Sequence, residues 1–304
     1  AVESMVGMIA ASRQFEQQMR LLQTAEANDK SAGQLLSLTG SRKGNPAMMN
    51  SLWIAKTGMT AQQTNLDVIS HNLANVSTTG FKRNFAVFQD LMYQNHRQVG
   101  AQTGDDTQLP TGLHLGLGVN VGSTSRNFMQ GSLANTGNAL DIAINGQGFF
   151  QIQMPDGTTG YTRAGNFTRS STGDVVTSEG YPLVPAINLQ IGDTLDIGPN
   201  GQVSITRAGV TTAGPQIELA NFVNPAGLEP LGNNLYRETV ASGGPQAGNP
   251  LTNSLGEIRH KFLENSNINV VEELVSMIQT QRAYEMNSKA IQTSDQMLAK
   301  LSQL

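Results

Sequence analysis

Two stripes of heptad-spaced residues, one near each end of the chain, limit what this sequence can fold into. Leu52, Ala55, Met59, Gln62, Leu66, Ile69, Leu73 and Val76 stand alternately three and four apart, and all but Gln62 are apolar. That spacing predicts a helix over about 50–76 with one narrow coiled-coil face. Ser77–Gly80 ends it, and Gly80 suits a left-handed turn. Val270, Met277, Tyr284, Ile291 and Leu298 recur every seven residues and predict a second helix over about 269–302, with Leu274, Gln281, Ser288 and Asp295 as a mostly polar companion row. Asn65 and Asn72 flank the first stripe, again seven apart. Polar groups at seam positions cost stability but fix register, because a slipped pairing leaves them unsatisfied. One alternative stays open: the two stripes pack on each other inside a single globule.

Between the stripes the texture changes. Glycine, Asn-Gly and Asp-Gly pairs punctuate short β-branched or alternating runs, and hairpins are expected over Leu140–Gln153, around Asp156-Gly157 and over Thr194–Ile205. The stretch 94–124 is rich in Gly and polar residues and has too few apolar ones for its own core, so it is expected to extend over a neighbour or to move. The expected organisation is an extra helix and linker (1–46), an N-terminal core helix (47–92), an extended segment (93–124), a hairpin-rich all-β domain (125–254) and a C-terminal core helix (255–304). The fold class is α+β, with the terminal helices forming a coiled-coil core.

An internal repeat accompanies this plan. Residues 2–26 align without gaps on 271–295, with nine of 25 positions identical: Val2/Val271, Glu3/Glu272, Val6/Val275, Met8/Met277, Ile9/Ile278, Arg13/Arg282, Glu16/Glu285, Gln23/Gln292 and Thr24/Thr293. The sequence therefore carries two versions of one helix. The first stands before the breaker Gly40–Pro46, which reads as a linker.

Composition argues against several function classes. Charged residues make up only 14% of the 304, with 26 Asn, 25 Gln and 32 Gly in their place. A net charge of −4 leaves no basic excess for a phosphate backbone, so nucleic acid is not an expected partner. No run of about 18 apolar residues exists, so no membrane insertion is expected. The opening residues lack the basic and apolar regions of a cleavable signal peptide. There is no Cys. His71, His96, His114 and His260 are scattered without ligand spacing, and Gly116-Leu117-Gly118 lacks the strand–helix context of a dinucleotide loop. No catalytic residue, metal site or cofactor is expected.

The residues at this point resemble a known family. SLWIAKTGMTAQQTNLDVISHNLANVSTTGFKR (51–83) is similar to the N-terminal signature of flagellar rod and hook proteins, with its core in the run Ala74–Lys82 that includes Asn75, Gly80, Phe81 and Lys82, and with Asn72 just before it. Residues 140–185 match the β-domain pattern of that family, and 269–304 its C-terminal helix. The stretch 93–120 is similar to the segment characteristic of distal-rod members. Residues 1–39 are similar to the C-terminal helix of proximal-rod members, so the first 47 residues are expected to be a tail fused to a complete distal-rod chain.

The resemblance implies a structural subunit that polymerises into a rigid, hollow, helical drive shaft carrying motor torque across the periplasm to the hook. It implies export without a cleaved signal through the flagellar type III apparatus. The implied partners are further copies of the chain, proximal-rod and hook or junction proteins, and the L- and P-ring proteins around the shaft. A hook-class or proximal-rod member of the same family is the first alternative, told apart by filament curvature. A glycan-acting enzyme is the remote one, requiring two carboxylates about 5–10 Å apart in a cleft.

Overall fold

The computed structural model describes residues 46–97, 102–104, 107–108 and 111–301. The expected helix at 1–39 and its linker lie outside them, except Pro46. The chain divides into two units, Ala1–Ser51 and Leu52–Leu304; of the first, only the opening turns of a helix are described. That helix, α1, runs Pro46–Ala74. Proline suits a first helical position because its missing N–H would have had no partner there. At the other end Asn75 stops the helix by returning its side-chain amide to the His71 carbonyl (2.9 Å).

The stretch after the family motif is a two-stranded ribbon. Asn84–Asp90 pairs antiparallel with Val119–Arg126, Tyr93–Arg97 with Leu113–Gly116, and Gln102–Gly104 with Thr107–Gln108. The chain doubles back within this stretch, so its paired backbone groups satisfy one another within the arm. Strand Tyr93–Arg97 is exposed along its length. Where the ribbon crosses α1, the Val119 amide donates to Thr57 Oγ1 (3.3 Å). Gly118 permits that approach: a Cβ there would collide with the same hydroxyl oxygen.

The β domain is built round a seven-stranded sheet whose central strand, Phe149–Gln153, pairs with Thr159–Thr162, Leu219–Asn221 and Leu183–Val184. Side chains alternate across a strand, so its two faces serve two cores. Phe150 and Ile152 enter the larger one with Ile142, Leu183, Ile217 and Leu219. Phe149 enters a smaller aromatic one with Tyr161, Phe222 and Tyr236. The hairpins at Asp156-Gly157 and Asn200-Gly201 form as expected from sequence. The one over Leu140–Gln153 does not. Ile142–Asn145 pairs with Glu257–His260 instead. The carbonyls of Gly146 and Gly148 accept hydrogen bonds from the Arg163 guanidinium (2.8 Å each).

The chain thus leaves the domain by pairing with its first strands: Phe262–Glu264 runs against Leu133–Asn135. Helix α2, Val270–Leu301, follows directly. Asn269 precedes it and accepts the Val271 amide on its side-chain oxygen (3.1 Å), a favourable start for a helix. Glu272 and Glu273 occupy the first turn, where negative charge suits the helix dipole.

Candidate functional site

Helices α1 and α2 meet antiparallel along a ladder with a seven-residue step. Asn72 faces Glu273 (Nδ2 to Oε2, 3.4 Å). One heptad back, Asn65 donates to Thr280 Oγ1 (3.1 Å). One further, Gly58 leaves room for Asn287, whose amide nitrogen would lie 3.0 Å from a Cβ at 58. The covered row of α2 is Glu273, Met277, Thr280, Tyr284, Asn287, Ile291 and Ser294, alternately four and three apart.

The predicted seam residues fall unequally on this geometry. Ile69 and Leu73 are buried, while Leu52, Met59, Gln62, Leu66 and Val76 are half-buried. On α2, Met277, Tyr284 and Ile291 are half-buried, but Val270 and Leu274 are exposed. The side chain of Leu298 lies outside the described residues. The polar companion row is Glu273, Thr280, Asn287 and Ser294, one residue earlier than the row of Leu274 read from sequence. Glu273 is drawn inward by Arg83, whose Nε lies 2.5 Å from its carboxylate, and this turns Leu274 outward.

Opposite the covered row, α2 shows an apolar strip to solvent: Val271 is 70% exposed, Val275 49% and Ile278 50%. Trp53 and Ile54 on α1 and Leu113 and Leu115 on the arm are exposed as well.

The family motif lies beside the seam, at the junction of helices and β domain. Asn72, almost wholly buried, exchanges two hydrogen bonds with the Asn84 backbone: it donates to the carbonyl (2.8 Å) and accepts from the amide (2.9 Å). Its side chain so takes the place of a neighbouring strand. Gly80 (φ +69°) donates its amide to the Glu264 carbonyl (2.8 Å). A Cβ there would stand 2.6 Å from the Ala164 nitrogen. Phe81 is buried with its ring edge-on to His71 (5.5 Å).

Lys82 has no exposed surface. Its ammonium donates to Glu264 Oε1 (2.6 Å) and to the Met129 carbonyl (2.8 Å). Arg163 approaches the other oxygen of Glu264 (3.3 Å), and the Gly131 amide donates to Oε1 (2.9 Å). One carboxylate therefore holds two buried cations. Burial lowers the pKa of Lys82 and Glu264 pulls against that shift. Arg83, next in sequence, ties the same junction to α2 through Glu272 (2.9 Å) and Glu273. Sequence reading missed Arg163, Glu264 and Glu273. The one signal was a lysine directly after a buried Gly-Phe, which demands a counter-charge without saying where.

Among the described residues no group of three or more His, Asp or Glu side chains is placed to hold a metal, and no helix is long and apolar enough to cross a membrane. A hollow of about 220 Å³ beside the junction is lined mostly by Thr, Asn and Ser, with Ala164, Phe167 and Leu235 among them, and carries one carboxylate, Glu179.

Comparison with known proteins gives the same regions. Residues 52–82 match the family model described as flagella basal body rod protein, and 143–209 that of the flagellar hook protein FlgE/F/G D1 domain. The model of the flagellar basal body rod FlgEFG protein C-terminal matches both 1–35 and 259–304. A flagellar basal-body rod protein FlgG of Buchnera aphidicola (subsp. Schizaphis graminum) is 55% identical over 84% of this chain and its own full length. One of Borreliella burgdorferi is 46% identical over 83% of this chain and 97% of its own. A rod protein FlgF of Caulobacter vibrioides is 34% identical over 80% of this chain and 92% of its own. The chain belongs to the family of the flagellar basal-body rod protein FlgG.

Proposed function

We propose that this chain is the repeating structural subunit of the flagellar distal rod and polymerises into a hollow, straight shaft through its terminal helices. The observation that carries this reading is the double-sided character of α2. Its inner row is engaged by α1 at Asn65 and Asn72, while Val271, Val275 and Ile278 on the opposite side are exposed to solvent. A strip of that kind on a long helix marks a protein–protein contact. One heterologous contact repeated with a rotation that does not close makes a filament.

In the polymer Leu52, Met59, Gln62, Leu66, Ile69, Leu73 and Val76 of α1, with Met277, Tyr284, Ile291 and Leu298 of α2, form the seam of a coiled-coil inner layer around the channel, and Val270 and Leu274, exposed in one copy, face its neighbours. The β domain forms the outer layer. The buried junction at Lys82 and Glu264 passes force from one layer to the other. The arm 84–126 lies across adjacent copies. A lone two-stranded ribbon is marginal in water, so its order comes from that contact, and the contact stiffens the shaft.

The role is structural, with no catalytic step. Proximal-rod proteins below, hook or junction proteins above, and the L- and P-rings around the shaft are the partners of this reading, with delivery by the flagellar type III apparatus. Electron microscopy of the purified chain after concentration is the test. Straight, hollow filaments support it; curved, supercoiling ones assign a hook-class role instead, and a chain that stays monomeric at every concentration refutes it.

A further inference from the structure

The repeat between 2–26 and 271–295 is not spread evenly round the helix. Of its nine identical positions, eight are exposed in α2, and Met277 alone is half-buried. Val271, Val275, Ile278, Arg282 and Glu285 advance by fours and threes along one strip. At roughly 100° per residue this strip lies about opposite the row that faces α1. Lys289 stands on the same strip, and its counterpart Arg20 keeps the charge.

The inner face behaves in the reverse way. Glu273, Thr280 and Asn287, which meet Asn72, Asn65 and Gly58, correspond to Ser4, Ala11 and Gln18. Two of the three groups that set register against α1 have been replaced by unlike residues and Asn287 by the longer Gln18, while the strip exposed among the described residues has been kept. Packing inside a single chain asks for the opposite, since exposed side chains change at little cost, usually within about 0.5 kcal/mol. The retained strip is therefore read by something outside the chain.

We infer that residues 2–26 dock on a second copy of the chain, at the same surface that receives the outward strip of α2. Each subunit then brings two sequences bearing one interface to the polymer: α2, held by its own α1, and residues 2–26, in which Ser4 and Ala11 replace the groups that make that hold. The inference rests on the reading of the chain as a polymer subunit.

The absence of Cys allows a direct test. Glu16→Cys and Glu285→Cys, equivalent positions of the repeat with Glu285 exposed in α2, are each labelled with a benzophenone maleimide in the full chain. Each is mixed with unlabelled, ¹⁵N-enriched chain, polymerised, irradiated and digested. The expected result is adducts between light and heavy chains from both positions, mapping to the same peptide. Adducts between copies from position 285, with position 16 silent, confined to its own chain or joined to a different peptide, overturn the inference and leave the polymer reading standing. Silence between copies from both positions removes both.

Discussion

Asn65 donates its side-chain amide to the hydroxyl of Thr280 at 3.1 Å, in the middle step of a ladder from Gly58–Asn287 to Asn72–Glu273. Thr280 in turn donates to the Ser276 carbonyl (2.7 Å), so its oxygen is free to accept. The seam is thus fixed by a hydrogen bond, not by apolar contact alone. A slip of one residue would bury polar groups without partners.

Asn65→Ala is expected to lower unfolding stability by about 1 kcal/mol, the usual net worth of such a bond. In a double-mutant cycle with Thr280→Ala, urea unfolding should show a coupling of about 0.5–1.5 kcal/mol. Fully additive losses would mean that the two side chains do not work together.

The junction predicts an unequal pair of substitutions. Glu264→Gln leaves Lys82 and Arg163 buried without their shared counter-charge and is expected to cost about 3–5 kcal/mol. Lys82→Met removes one of two cations, leaves Arg163 beside Glu264, and should cost clearly less. Guanidinium unfolding midpoints measure the order, and a reversal would contradict the shared-carboxylate arrangement.

Lys82 also gives a pH dependence. Burial holds its folded pKa below 10.5, so the folded chain sheds this proton before the unfolded chain does. In that window the unfolded state binds more protons, and stability rises with pH. Relative to Lys82→Met, the parent chain is expected to gain stability as pH climbs from neutral toward 10.5. Paired chemical-denaturation series across that range measure the difference, and a flat or falling one would oppose the shift.

Local signals were legible, and partnerships across the sequence were not. Heptad spacing placed both helices, and Asp156-Gly157 and Asn200-Gly201 placed their hairpins, because each signal is read within a few residues. Asn145-Gly146 looked the same locally, yet its flanking strand pairs with Glu257–His260, over a hundred residues away. Lys82 named its need for a carboxylate, but Glu264 became its partner only through the return of the last strands. The one-residue rotation of α2 had a similar origin, in the hold of Arg83 on Glu273. Spacing alone does not distinguish Leu274 facing in from Leu274 facing out.

The arm supports a mechanical prediction. Deleting about 93–115 removes Tyr93–Arg97 and part of its partner strand but leaves the base ribbon Asn84–Asp90 with Val119–Arg126. Filaments should still form and should be bent or more flexible in electron micrographs. Straight filaments of unchanged persistence length would remove the arm from the account of stiffness.

The outward strip of α2 is the point on which assembly turns, and its disruption can be separated from misfolding because Val275 and Ile278 are about half exposed. The decisive measurement is sedimentation of the Val275→Glu/Ile278→Glu chain beside the parent under polymerising conditions, with thermal unfolding of both recorded in parallel. The expected result is a variant that stays in the supernatant while unfolding as the parent monomer does. Pelleted filaments from the variant, in parental yield, would contradict it.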